Sequence, residues 1–329
     1  MKERRVKTMQ LRELLSRELV KLHSGEAVVV ERYNTPIAAL ISIEDYWKLR
    51  TLGPTRPSKE EVMPTQRLVV ANASGGEGKS TIARELAYSC AGLGLRVALF
   101  DLDPQASLTK SLGLHDDPES VAWHKDRTVL GVFASDEPAP LPDPIHVHGV
   151  DVWPANDHLT QADTEMAGDM MRIGHLRSAL NDYLAEHRYD VVILDTKPGR
   201  SNFLVASLAA ADHLLVPVSG LKGLENLKVL LKVVENARLF APHLQLRAFV
   251  PNRIRENVGH HRELLAVLHE DMADLAPILP QVRDSLATVG GALEHRLPVV
   301  RYKPSAPISE DFAATTRGLL AVLGLPVPA

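Results

Sequence analysis

Residues 72–81 read NASGGEGKST. A phosphate-binding loop of the form G-x-x-x-x-G-K-[ST] would place its first glycine at position 73, where this chain carries Ala73. The glycines nearest the phosphates, Gly75, Gly76 and Gly78, are retained, followed by Lys79, Ser80 and Thr81. The stretch follows RLVVANA (67–73), a continuous apolar run that reads as a buried strand, and precedes IARELAYSCAGLGL (82–95), which reads as a helix with a glycine stop. Strand, glycine-rich turn and helix are the context a phosphate loop requires. Backbone N–H groups of Gly75, Gly76, Glu77 and Gly78 then face phosphate oxygens, and the helix start adds its positive dipole end. Lys79 reaches the terminal phosphates, the Ser80 hydroxyl is a Mg²⁺ ligand, and Thr81 completes the nucleotide-binding set.

Outward from the loop, RVALFDLD (96–103), DVVILDT (190–196) and HLLVPVS (213–219) are further continuous apolar strands, with helical stretches at 175–187 and 223–239. Unalternating strands joined by helices predict an α/β fold: a doubly wound, mostly parallel sheet with helices on both faces, of P-loop NTPase type. Asp101 and Asp103 end one strand and Asp195 ends another. Ligands of doubly wound sheets bind beyond the carboxyl ends of strands, so these carboxylates are expected to hold Mg²⁺ and its waters or to orient an attacking water. Residues 135–148, SDEPAPLPDPIHVH, read as a surface loop, and His146 and His148 as surface residues.

The chain has 329 residues and a net charge of −4, unevenly spread. Residues 1–60 carry 12 Lys/Arg against 8 Asp/Glu, and the rest 25 against 33. A basic end on an acidic body suggests an anionic partner at that end. The proline-rich stretch TLGPTRPSKEEVMPT (51–65) reads as a linker, giving a module over 1–52, a linker over 53–65 and a second domain over 66–329. In the first module, 11–22 reads as a helix, then two short strands flank a turn at Asn34-Thr35-Pro36, and a second helix follows. Cys90 is the single cysteine, which excludes an internal disulfide framework and reads as core packing. No run of 18 or more apolar residues and no apolar leader occur, so the expected place is the cytoplasm, without a membrane partner.

The second domain resembles the ParA/Soj/MinD group of deviant-Walker ATPases. The resemblance rests on SGGEGKST (74–81), DLDPQASLTKSLGL (101–114), WPANDHLTQADTEMA (153–167), YDVVILDTKPG (189–199) and AAADHLLVPVS (209–219), and is closest to the ParA partition branch. It implies a homodimeric, ATP-driven switch that binds DNA non-specifically on the nucleoid, resets by hydrolysis to ADP, and answers to a ParB-like centromere-binding stimulator. It also implies that Asp103 positions the hydrolytic water, that Asp195 is the acidic residue of the second Walker motif, and that Asp101 supports the metal shell. Asn252 and Pro280 match adenine-contacting segments.

Two departures stand out. The family's signature lysine, which reaches across the dimer to the partner's phosphates, is replaced by Ser74, and an apolar position is replaced by Glu77. Lys197 stands where proline is usual, and is expected to supply the missing charge in catalysis, paired with Glu77 before nucleotide arrives. Without that charge, the alternative is a nucleotide-binding transcriptional regulator with little or no hydrolysis. Residues 6–50 resemble the Phd/YefM antitoxin fold, whose dimers bind operator DNA. The resemblance implies DNA contacts from Arg4, Arg5, Lys7 and Arg12, and control of the chain's own operon.

Overall fold

The computed structural model describes residues 2–7, 26–32, 35–40, 64–115 and 125–326. The chain divides into two units, Met1–Val62 and Met63–Ala329.

In the first unit, β1 (Lys2–Lys7) runs parallel to β2 (Glu26–Arg32), which pairs antiparallel with β3 (Thr35–Leu40). The two strands agree with the sequence reading, but Thr35 and Pro36, expected in the turn between them, belong to β3, and Asn34 lies outside the described residues. The strand at Lys2–Lys7 does not agree with it: a run of four basic residues in six carries no apolar period, and its strand form comes from backbone pairing with β2 from Lys2↔Glu26 to Lys7↔Glu31. The expected helix at 11–22, and Arg12 with it, lie outside the described residues.

The second unit is a seven-stranded sheet in the order β10-β9-β4-β8-β5-β7-β6. Its strands are β4 (Gln66–Val70), β5 (Val97–Leu102), β6 (Ile145–Val147), β7 (Val150–Trp153), β8 (Val191–Thr196), β9 (His213–Val218) and β10 (Gln245–Pro251). All neighbours are parallel except the edge pair β6–β7. The prolines of 135–148 therefore end in a short strand, where Ile145–Val147 finds an open sheet edge. His146 pairs there with Asp151 at 2.8 Å.

The helices used below are α1 (Lys79–Gly92), α2 (Ser107–Ser111), α3 (Thr160–Gly168), α4 (His175–Glu186), α5 (Asn202–Ala209), α6 (Leu221–Glu225), α7 (Leu227–Ala237) and α8 (Pro307–Leu323). The single helix expected over 223–239 is two, broken at Asn226, whose amide has its own work.

Successive residues of each strand face opposite layers. Val69, Phe100, Leu194 and Val216 pack with the α3, α4, α5 and α7 side. Leu68, Val70, Leu99, Ile193 and Val250 pack with α1 and α8. Burial on both faces is why these strands read as unbroken apolar runs. Phe100 stacks on Trp153 with ring centroids 4.2 Å apart, and Cys90 is fully buried in the α1 layer. From β4 the chain crosses to β5 on one side, and from β8 it crosses back over β4 to β9. The carboxyl ends of β4 and β8 thus meet at a topological switch point, the place where a doubly wound sheet leaves a crevice.

Candidate functional site

The loop after β4 fills that crevice. Asn72 is buried and holds the loop's entry, accepting from Ser74 N at 3.0 Å and donating to Pro217 O at 2.9 Å. Gly199 N, from the loop after β8, donates to Ala73 O at 3.1 Å. Gly76 and Gly78 have φ of 84° and 81°, in the left-handed region. At Gly78 a Cβ would also stand 2.2 Å from Asn252 Nδ2, so the position needs glycine on two counts. Lys79 opens α1 with its side chain folded back, and Nζ donates to Ser74 O at 2.8 Å. Burial lowers its pKa, while Asp195, Asp103 and Glu77 act in the opposite direction.

The three carboxylates lie across from the loop. Asp101 and Asp195 are register partners on β5 and β8, so two acidic side chains face each other across adjacent strands. Asp101 is engaged on both oxygens: Thr109 N and Oγ1 donate to Oδ2 at 2.8 and 2.6 Å, and Asp103 N donates to Oδ1 at 3.1 Å. Burial raises its pKa to about 6, against the pull of the Thr109 hydroxyl. It thus ties α2 and the Asp103 backbone to β5, and reaches a metal only by giving up those bonds.

Asp195 is the opposite case. It is fully buried, and neither oxygen completes a hydrogen bond. Burial raises its pKa well above the usual range and the charge of Asp101 adds to this; the Ser80 hydroxyl, short of a proper hydrogen bond, and Lys79 oppose. Asp103, at the mouth, is 8% exposed and accepts Gln105 N on Oδ1 at 2.9 Å. None of the described hydrogen bonds uses its Oδ2.

The two departures from the phosphate-loop pattern are both met from one segment, 219–226. Asn226 Nδ2 donates to Ser74 Oγ at 2.8 Å. Ser219 donates to Glu77 Oε2 from its backbone N at 2.6 Å and its hydroxyl at 2.8 Å. The expected Glu77–Lys197 pair is absent. Lys197 Nζ instead meets Asp163 Oδ2 of α3 at 2.5 Å, and Asp163 Oδ1 accepts Phe203 N at 2.8 Å. The reason is local: a carboxylate that also holds the first turn of α5 lies nearer Lys197 than the far side of the loop does.

A cleft of about 220 Å³ adjoins the loop, lined by Gly78, Thr81, Asn252, Arg253 and the stretch Val282–Leu286. Asn252 is buried and fixed by two bonds, N to Val218 O at 2.8 Å and Nδ2 to Glu77 O at 2.9 Å. Pro280 is not among the lining residues. Its carbonyl accepts from Thr315 of α8 at 2.9 Å, and its ring lies against Gly318. The cleft is reached by the residues after it, because Val282 N returns to Pro251 O at 2.8 Å. A larger open groove of about 610 Å³ between α5 and α7, lined by residues such as Arg200 and Lys232, contains none of the loop or carboxylate residues.

Nothing in the sequence marked Asn72, Thr109, Ser219 or Asn226, since each acts on a partner through the fold. Asn72, Thr109, Ser219 and Asp163 do lie inside quoted stretches, but no stretch shows the partner its residue holds.

Residues 65–246, more than half the chain, match the family described as an AAA domain. The chain belongs to the AAA domain family. This AAA domain is 36% identical over 184 residues to the chromosome-partitioning ATPase Soj of Thermus thermophilus, covering 55% of the chain and 66% of Soj, just under two thirds of its length. It is 32% identical over 192 residues to the chromosome partitioning protein ParA of Caulobacter vibrioides, covering 57% of the chain and 69% of that protein. It is a ParA-type P-loop protein. Its fold matches the solved ATP complex of a McdA variant from Cyanothece, with a TM-score of 0.66 at 24% identity over 80% of the chain and 97% of the other.

Proposed function

We propose that this AAA domain is an ATP-driven partition ATPase, acting as a nucleotide-switched homodimer that binds DNA and is reset with the help of a ParB-like partner. The observation that carries the reading is Asp195: a fully buried carboxylate with no hydrogen-bond partner, between the phosphate loop and two further aspartates. Two like charges facing each other in a dry site are unfavourable until a cation joins them. The donor set suits Mg²⁺, which would be held by the Ser80 hydroxyl and Asp195 with Asp101 behind, and which supplies charge neutralisation of the phosphates. Lys79 binds the phosphates, exchanging the Ser74 carbonyl for an anionic acceptor. Thr81 and Asn252 sit where the cleft receives the adenosine. Asp103, with one oxygen fixed by Gln105, orients a water through the other and accepts its proton.

Lys197 supplies the missing cation by leaving Asp163 when the triphosphate enters. Lys197→Ala then lowers turnover, and unchanged turnover removes Lys197 from the mechanism. Exposed lysines of α6 and α7 (Lys222, Lys228, Lys232) suit a non-specific DNA surface, and the first unit suits a Phd/YefM-type dimer that contacts an operator through Arg4, Arg5, Lys7 and Arg12.

Steady-state ATP turnover with and without duplex DNA tests the reading. Wild-type turnover above background that falls about 100-fold in Asp103→Ala, with binding retained, supports it. A second reading, a nucleotide-binding transcriptional regulator with little turnover, is favoured by the Ser74–Asn226 bond and the Lys197–Asp163 pair, which leave the loop without a free lysine. ATP binding without Asp103-dependent turnover, in the presence of DNA and partner, selects it.

A further inference from the structure

Glu77 lies inside a loop built to hold anions, yet it is 5% exposed and hydrogen-bonded. Its carboxylate accepts two bonds from Ser219, at 2.6 and 2.8 Å, and its carbonyl accepts a third from Asn252 at 2.9 Å. The fit is close. A Cβ on Gly223 would stand 2.8 Å from Oε2, so the segment after β9 approaches the carboxylate as only glycine permits. Together with the Asn226–Ser74 bond, this clamps the phosphate loop to residues 219–226 at two points.

The partners of the Glu77 carboxylate are a backbone N–H and a hydroxyl, both neutral. The hydrogen bonds hold the carboxylate without cancelling its charge. Glu77 stands two residues before the phosphate lysine Lys79 in the same loop, so that charge lies beside the phosphate site. A fixed negative charge beside a polyphosphate opposes each added phosphate charge, and therefore opposes ATP more than ADP.

We propose that Glu77 determines the preference between ATP and ADP: its hydrogen bonds to Ser219 hold the phosphate loop in binding shape, and its charge disfavours the nucleotide with the extra phosphate. This rests on the nucleotide-binding reading above. A chain built so releases its switch state easily, because the triphosphate complex is the one held back.

The two effects separate by substitution. Glu77→Gln keeps an oxygen for both Ser219 donors and removes the charge. Glu77→Ala removes charge and clamp together. Gly223→Ala displaces the carboxylate from its seat and leaves the charge. Titration calorimetry of the full chain with ATP and with ADP, each with Mg²⁺, gives the affinity ratio. Glu77→Gln is expected to raise the ATP/ADP affinity ratio on the order of threefold to tenfold, a Coulomb effect at several ångströms in a partly screened site. Gly223→Ala is expected to weaken both nucleotides without raising the ratio, and Glu77→Ala to bind both more weakly than Glu77→Gln. An unchanged ratio in Glu77→Gln, or wild-type affinities in Glu77→Ala and Gly223→Ala, overturns the proposal while the nucleotide reading stands. A wild-type chain that binds neither nucleotide overturns both.

Discussion

The two ends of the seven-stranded sheet treat acidic residues in opposite ways. At the amino ends of the strands each of three acids has a partner. Asp190 receives Arg96 on both oxygens, at 3.1 and 2.6 Å, Asp212 pairs with Arg177 at 2.9 Å, and Asp151 accepts from Tyr189 at 2.6 Å. Asp190 is held below the usual carboxylate range by Arg96, and Asp212 is also lowered: burial pushes it up, but Arg177, Arg67 and His243 together outweigh that. At the carboxyl ends Asp101 and Asp195 face each other across the register, and both are raised. The same residue type is spent on stability at one end and left costly at the other. Such a cost persists in a fold when a ligand offsets it, and the carboxyl ends are where the nucleotide and Mg²⁺ are proposed to bind.

That contrast can be broken most severely at Lys79. Lys79→Ala removes the loop's own cation from phosphates that face three carboxylates, and nucleotide affinity is expected to fall about 100-fold or more by calorimetry. At Asp195 the contrast makes an unusual claim about stability. Asp195→Asn removes an uncompensated buried charge, so denaturant unfolding at neutral pH without Mg²⁺ should show a gain of about 1–3 kcal/mol, with loss of Mg²⁺-dependent nucleotide binding. A loss of stability would mean that the carboxylate has structural partners after all.

The pairs at the amino ends give the smallest effect. Asp190 is depressed in the folded state, so its contribution is present above the unfolded pKa of about 3.9 and is lost as pH falls through the lower folded value. The pair is half exposed on the Arg96 side, so screening keeps it below about 1 kcal/mol. Arg96→Ala should therefore flatten the acid limb of a stability–pH curve slightly below pH 4, and leave nucleotide binding unchanged.

The same contrast explains what was legible in the sequence. The strands, the glycine-rich turn and the three aspartates were readable because a parallel sheet buried on both faces has an unbroken apolar signature and its strand ends are marked by charge. Lys2–Lys7 was not, since a basic segment becomes a strand only through its neighbour β2. The partners of Ser74 and Glu77 were not readable either. Asn226 lies 152 residues from Ser74, and Ser219 lies 142 from Glu77. The pairing of Lys197 with Glu77 failed because charge complementarity in a sequence has no distance attached. Asp163 was closer, and it also held the start of α5. Pro280 illustrates a finer limit: the segment was found, but the chain turns so that Val282–Leu286, rather than the proline, line the cleft.

The most direct test of the account is equilibrium binding of ATP to the full wild-type chain, titrated with and without Mg²⁺, beside Asp195→Asn. The account predicts binding that Mg²⁺ strengthens in the wild type and that loses its Mg²⁺ dependence in Asp195→Asn. ATP binding indifferent to Mg²⁺, or no binding at all, would contradict the assignment of the orphaned carboxylate, and with it the reading of NASGGEGKST as a working phosphate loop.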